Sequence, residues 1–255
     1  MLPGPKSLIL ESNMRWIYIS PHFDDAVLSC GGLIWEQTHS GIPVEIWTVN
    51  AGDPPSGPVS DLISRDHATW KTGTPQETVA LRRIEDQSAA RRVGATVKHL
   101  NGVDAIYRRN RSGELMYTRS VFEPIHPDDN NIVQEVAGLL ARGLTQYDTL
   151  VCPLALGGHV DHVITRRAAE SLGRPLWYYA DIPYLLRHEN ELAPAIQTMN
   201  GKTFFISSTG LAAWQESILA YTSQIPSLFP DGENMQTQIK KYCKSTNGLC
   251  IWDEI

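Results

Sequence analysis

Trp16-Ile17-Tyr18-Ile19 is a short apolar run that stops at Ser20-Pro21-His22-Phe23-Asp24-Asp25, and a helical segment with the glycine pair Gly31-Gly32 follows at once. So short a run, closed by a proline, reads as a buried strand, because a core helix needs ten or more residues. The same grammar recurs along the chain. Residues 44–49, 96–100, 149–152 and 176–180 read as further strands, and 26–40, 77–93, 131–140 and 161–172 as helices between them. Strands that alternate with helices build an open, mostly parallel sheet with helices on both faces, an α/β architecture. Such sheets bind ligands beyond the carboxyl ends of their strands. Phe204-Phe205-Ile206 and two helices near 211–221 and 235–242 complete the reading.

A chain of 255 residues, 42% hydrophobic, can bury one large core, so a single domain over 1–255 is expected. Residues 1–13 read as a poorly ordered leader, with one Lys and no small-residue cleavage site. A net charge of -6 argues against a nucleic-acid partner, and the basic stretch Arg108-Arg109-Asn110-Arg111 reads as a solvated loop. No apolar run approaches the length of a membrane span. The four cysteines show no CxxC spacing. Cys30 and Cys152 sit in apolar settings as buried thiols. Cys243 and Cys250 are able to pair, but reduced thiols and a cytoplasmic location are the expectation. The helix at 77–93 is expected to turn Leu81, Ile84 and Val93 to the core. The polar connections 50–75 and 101–125 are long for structureless loops and are expected to carry specificity.

The chemistry concentrates in two places. His22, Asp24 and Asp25 end the first strand, and Gly157-Gly158-His159-Val160-Asp161-His162 follows the strand at 149–152. His22 and Asp25 stand three apart on a strand-to-helix turn and can face one ion, which leaves Asp24 free. His162 can complete a three-ligand set, the number a catalytic zinc takes while keeping a water. Asp24 and His159 are then the surplus base and acid, or cation, that a hydrolase needs. Asp161 is able to bond a ring nitrogen of His159 and keep that ring protonated. The glycine pairs allow close backbone approach around the site. The bland alternative is that the acids are helix caps or first-turn residues favoured by the helix dipole, and the histidines ordinary helix-start residues. One cluster alone supports that reading equally; two at matching positions of an α/β pattern do not.

Pro21-His22-Phe23-Asp24-Asp25 with Gly31-Gly32, then His159-Val160-Asp161-His162, resembles the LmbE-like/PIG-L family of zinc-dependent N-acetylglucosaminyl deacetylases. Arg83-Ile84-Glu85-Asp86 with Ala89-Ala90 and Gly94 is similar to that family's Arg/Glu-bearing helix, and Ala220-Tyr221-Thr222-Ser223-Gln224 to its Tyr-x-Ser-Gln segment. The likeness runs from about Arg15 to Gln224; its two His/Asp motifs are specific, and the other two segments are weak alone. The resemblance implies a Rossmann-like three-layer fold, Zn2+ on His22, Asp25 and His162, Asp24 as general base and His159 as electrostatic partner or acid. It also implies an N-acetylated amino sugar or its conjugate as substrate, and it is compatible with a homo-oligomer. Phe23 departs from the family's usual Pro without removing a ligand.

The same residues allow other readings. A phosphoesterase would use the same residues with a second metal, and a non-catalytic zinc-containing sugar-binding protein would retain the ion alone. His126-Pro127-Asp128-Asp129 matches the family's wording more literally, yet no apolar strand leads into it and no glycine pair follows. Asp128, Asp129 and Asn130 there read as helix caps. Asp181 and Tyr184 are candidates for sugar contact. Arg83 is a candidate for a substrate oxygen or for an ion pair with Glu77 or Glu85, and His67 and Trp70 for a lid.

Overall fold

The computed structural model describes residues 14–230 and 234–254; the leader reading of residues 1–13 lies outside them. The first strand, β1 (Trp16–Ser20), leads through a short turn into α1 (Asp25–His39) and then β2 (Val44–Thr48). Next come α2 (Asp61–Trp70), α3 (Pro75–Arg92) and β3 (Thr96–His99). After a long connection follow α4 (Ile132–Ala141), β4 (Thr149–Pro153), α5 (Val160–Glu170) and β5 (Leu176–Tyr179). The chain ends with β6 (Met199–Phe204), α6 (Ser208–Ile218), α7 (Met235–Ser245) and β7 (Leu249–Glu254).

The seven strands form one sheet in the order β3-β2-β1-β4-β5-β7-β6. β1 to β5 are parallel, and β7 and β6 continue the sheet antiparallel. The expected α/β architecture with a mostly parallel sheet is therefore present. The crossovers through α1 and α3 step one way across the sheet and that through α5 steps the other. Right-handed crossovers then put α1 and α3 on one face and α5 on the other. α6 packs on α1 and α3, and α4 on α5. Strand order reverses between β1 and β4, and both His/Asp clusters leave the sheet there.

Most apolar strand residues are sealed: Ile17, Ile19, Ile46, Leu150 and Val151 have no exposed surface. Gly31 and Gly32 serve this packing rather than the site. A Cβ on Gly31 would lie 2.4 Å from Cδ1 of Trp214, and one on Gly32 2.9 Å from its Cε3. The bare backbone of α1 thus admits the Trp214 ring of α6, whose Nε1 donates to Val27 O at 2.8 Å.

Three expectations change. The connection at 50–75 contains α2, capped by Ser60 Oγ accepting from Ile63 N–H; its few apolar residues hid its period. β7 adds a strand beyond those expected, and its Leu249-Cys250-Ile251-Trp252 stretch is an apolar run of strand length. On α3, Val93 is buried as expected, but Ile84 is 63% exposed and Leu81 36%. The buried stripe is Thr78, Val79, Arg82, Glu85, Asp86, Ala89 and Ala90, which keeps helical spacing but carries charge. Those charges have partners. Glu85 receives the Ser223 N–H and the Thr222 and Ser223 hydroxyls at 2.7–2.8 Å, and Asp86 accepts from Thr48 Oγ1 at 2.8 Å and from Tyr221 OH at 3.3 Å. The two weakest motif segments, on α3 and at 220–224, therefore bind each other. All four cysteines are free thiols, with Cys30 and Cys152 fully buried.

Candidate metal centre and catalytic cluster

The turn after β1 is built by its own side chains. Ser20 Oγ donates to His22 O at 2.6 Å and accepts the Ala26 N–H, in the first turn of α1, at 3.0 Å. The Asp25 carboxylate turns back to accept the His22 N–H at 2.7 Å. Asp24 occupies the N-cap position, yet its side chain makes no capping hydrogen bond. The bland reading of Asp24 as a helix cap therefore fails.

Asp25 stands between two imidazoles. Its Oδ2 lies 3.1 Å from His22 Nδ1 and its Oδ1 3.3 Å from His162 Nε2. The far nitrogen of each ring meets another carboxylate: His22 Nε2 lies 3.1 Å from Asp161 Oδ2, and His162 Nδ1 lies 2.6 Å from Asp181 Oδ1. All four of these residues, with Asp25, are buried. Histidine rings that hold a metal commonly rest on carboxylates in this way, which fixes ring orientation and tautomer. The rings of His22, His159 and His162 also cluster, with potential donor atoms within 4.8 Å of one another; a second such group is His22, Asp104 and Asp161. Nitrogen and carboxylate oxygen donors in a closed setting suit zinc and other first-row divalent ions.

The charges respond to this crowding. Burial works against charge on His22, but Asp104, Asp161 and Asp25 hold it well above the ordinary histidine value. Burial likewise opposes charge on His162, and Asp25 and Asp181 raise it to about 9. Asp25 is desolvated, yet His162 and His22 hold it well below the usual carboxylate range. Asp24 is pushed up to about 6 by desolvation, with Arg82 pulling the other way. Desolvation and the neighbouring His22 keep His159 well below the ordinary value, so this ring is neutral at neutral pH.

Asp161 corrects one expectation. Its carboxylate does not touch the His159 ring: it meets His22 Nε2, the Ala105 N–H at 2.9 Å and the Arg108 guanidinium. Its backbone N–H instead donates to His159 Nδ1 at 3.1 Å. An Nδ1 that accepts leaves the proton of a neutral imidazole on Nε2. Asp181 is also displaced from its sugar-contact reading, because it is 1% exposed and divided between His162 and the Leu156 N–H.

Three functional candidates escaped the sequence. Arg82, not Arg83, enters the site, where its Nη2 lies 3.6 Å from Asp24 Oδ1 and its Nη1 3.6 Å from Asp104 Oδ2. The signal was there, since Arg82 falls on the buried stripe of α3; the apolar Leu81 and Ile84 drew the helix face the wrong way. Arg83 binds Ala51 O and Asp53. Asp104 belongs to no motif. Arg108 is 5% exposed rather than a solvated loop residue, and it bridges Asp161 and Asp129.

The His126 segment forms a short 3-10 turn in which His126 Nδ1 itself accepts the Asp128 N–H at 3.1 Å. The cap is thus the histidine and not the acids. Asp129 faces inward to Arg108 and to the Tyr117 hydroxyl. His67 is buried against Tyr107 OH at 2.7 Å, a packing position on α2 rather than a lid. Trp70 donates to Ser227 Oγ at 3.0 Å and its ring covers Arg82, so it forms one wall of the site mouth. Phe122 and Tyr184 form the other: Phe122 stands edge-on to His159, and Tyr184 to His162. Gly157 has φ +76°, and a Cβ there would lie 2.5 Å from the Tyr184 ring, so glycine makes room for this aromatic.

The family described as PIG-L: GlcNAc-PI de-N-acetylase matches residues 17–172, which contain every donor of the two groups above. The chain belongs to the PIG-L family. Relatives of this PIG-L chain include a 2'-N-acetylparomamine deacetylase of Niallia circulans, 30% identical over 245 residues that cover 90% of this chain and 86% of that protein. A 2'-N-acetylparomamine deacetylase of Streptomyces fradiae is 27% identical over 198 residues, 67% of this chain and 57% of the other. Among solved structures, a deacetylase of the teicoplanin biosynthesis pathway, in complex with bog, is 25% identical with a TM-score of 0.79 and covers 94% of this chain and 98% of its own. No helix among the described residues of this PIG-L member is long and apolar enough to cross a membrane.

Proposed function

We propose that this protein is a zinc-dependent N-deacetylase that hydrolyses the acetamide of an N-acetylated amino sugar or its conjugate, with His22, Asp25 and His162 as the zinc ligands. The observation that carries the proposal is the Asp25 carboxylate, reaching His22 Nδ1 at 3.1 Å and His162 Nε2 at 3.3 Å while Asp161 and Asp181 hold the outer nitrogens of the two rings. The deacetylase names of the relatives from Niallia circulans and Streptomyces fradiae support the reaction class and an acetylated amino sugar within a larger molecule.

Zinc bound there would polarise the amide carbonyl and make a nearby water more acidic. Asp24 takes the proton of the attacking water. It is buried and free of capping duty, and a carboxylate raised to about 6 both accepts a proton near neutrality and returns it to the departing amine nitrogen. His159 donates its Nε2 hydrogen to the oxygen on which negative charge develops, acting as a neutral ring instead of the imidazolium expected from the sequence. Asp161 and Asp181 are positioning residues that act through His22 and His162. Arg82 keeps Asp24 ionised and stands beside Asp104 at the mouth.

A second ion for phosphoester chemistry would need His22, Asp104 and Asp161, whose carboxylates already face Arg82 and Arg108. The test is acetate release by the zinc-loaded enzyme from N-acetylated aminoglycosides such as 2'-N-acetylparomamine and from N-acetylglucosamine conjugates. The expected result is stoichiometric acetate and free amine from at least one of them. Phosphate release from phosphoesters, with no acetate from any N-acetyl compound, would overturn the reading.

A further inference from the structure

Hydrolysis at this cluster seats the acetamide between Asp24 and His159, both of which are buried. The ring that carries the acetamide nitrogen then lies at the mouth of the site, where Phe122 is 55% exposed. We propose that Phe122 is a specificity-determining residue, whose free ring face stacks on the C–H face of the pyranose that bears the acetamide. The proposal rests on the deacetylase reading of the same site.

An exposed phenylalanine alone says little; this one is held in place over the catalytic cluster. Val121 O accepts the Val160 N–H at 2.8 Å, which ties the segment to the first turn of α5, between His159 and His162. The Phe122 N–H donates to Ser120 Oγ at 3.0 Å. The ring stands nearly perpendicular to His159, with 5.6 Å between centroids and 82° between planes, and to Tyr184, with 6.0 Å and 79°. Backbone and rings together fix the phenyl group beside the imidazole proposed to meet the reacting oxygen.

The other two aromatic rings of the mouth are committed elsewhere, and both are less exposed. The Trp70 ring covers the Arg82 guanidinium at 5.4 Å, and its Nε1 is spent on Ser227 Oγ. Tyr184 packs against Gly157 and stands edge-on to His162. Its hydroxyl, however, makes no hydrogen bond among the described residues and is not sealed from solvent. An apolar face with a free hydroxyl beside it matches a pyranose, whose axial C–H bonds make one apolar face and whose rim carries hydroxyls. Stacking removes both apolar faces from water and gains dispersion contacts. A linear amide offers Phe122 no such face.

The test combines saturation-transfer NMR, irradiating the aromatic protons of the zinc-loaded enzyme, with steady-state kinetics. The NMR probe is methyl glucosaminide, the amine product, which undergoes no turnover. The kinetic substrates are methyl N-acetylglucosaminide and 2'-N-acetylparomamine. In the wild type, transfer should reach the ring C–H protons of one face. In Phe122→Ala that transfer should fall at least about threefold and KM should rise roughly fivefold, as for one lost aromatic contact, with the loss carried by KM rather than kcat. Phe122→Tyr keeps the ring face and should restore both. No transfer to the amine, transfer undiminished in Phe122→Ala, or a KM unmoved by that variant would overturn the proposal. Failure of the deacetylase reading has a different mark: no acetate from either N-acetyl compound, while the amine still shows the transfer that depends on Phe122.

Discussion

Asp181 Oδ1 stands 2.6 Å from His162 Nδ1, and the pairing leaves His162 Nε2 facing Asp25. The carboxylate that looked like a sugar contact in the sequence thus fixes the tautomer and angle of a proposed metal ligand. Asp181→Asn can still accept from Nδ1–H but loses the charge that makes the ring a stronger donor. Zinc affinity measured against a competing chelator should fall roughly 10–100-fold, with the thermal midpoint of the zinc-free protein little changed. Equal zinc affinity in the variant would remove Asp181 from the account.

Asp24 must be ionised to take a proton from water, so kcat/KM should fall as pH drops through the region near 6 where burial places this carboxylate. Arg82, 3.6 Å away, favours the charged form. Removing that cation raises the carboxylate's pKa, so in Arg82→Met the acidic limb should move to higher pH by about one unit. A KM change with an unmoved limb would make Arg82 a substrate contact only. An acidic limb that persists in the residual activity of Asp24→Ala would take the base role from Asp24.

Glu85 is 4% exposed and receives three hydrogen bonds from Thr222 and Ser223. Glu85→Ala strands those donors and frees the 220–224 segment from α3. A loss of about 2–3 kcal/mol in chemical denaturation is expected, because the two buried donors of Ser223 lose their carboxylate acceptor. Ser223→Ala deletes one donor and should cost less, about 1 kcal/mol.

Gly31→Ala introduces a Cβ at 2.4 Å from the Trp214 ring, in a core that cannot yield without moving α1 from α6. Destabilisation of about 1–3 kcal/mol is expected, read as a lowered Tm. Gly41→Ala is the informative contrast. Its Cβ meets no atom within 4 Å, and any cost there comes from its φ of +81° alone.

The parallel strands were legible because each is a short apolar run ended by a turn, and His22, Asp25, His159 and His162 because two such ends carry the same chemistry. α3 was legible as a helix but not in its orientation. Its buried face holds Arg82, Glu85 and Asp86, and apolar periodicity cannot reveal a stripe whose polar members are satisfied by residues up to 138 positions away. Arg108 and Asp104 were hidden for a related reason: both lie in a connection whose fold is set by ion pairs with α3, α5 and Asp129. The role of Asp161 turned on which of its groups reaches His159, and spacing alone cannot separate a carboxylate from a backbone N–H. The His126 cluster shows the converse, a close match in letters without the strand and turn that aim a histidine and a carboxylate at one point.

Metal analysis of the purified protein and two variants decides whether His22, Asp25 and His162 hold the ion. One zinc per chain is expected in the wild type, with loss of that zinc in His22→Ala and its retention in His126→Ala. Zinc retained in His22→Ala, zinc lost in His126→Ala, or two ions per chain in the wild type would contradict it.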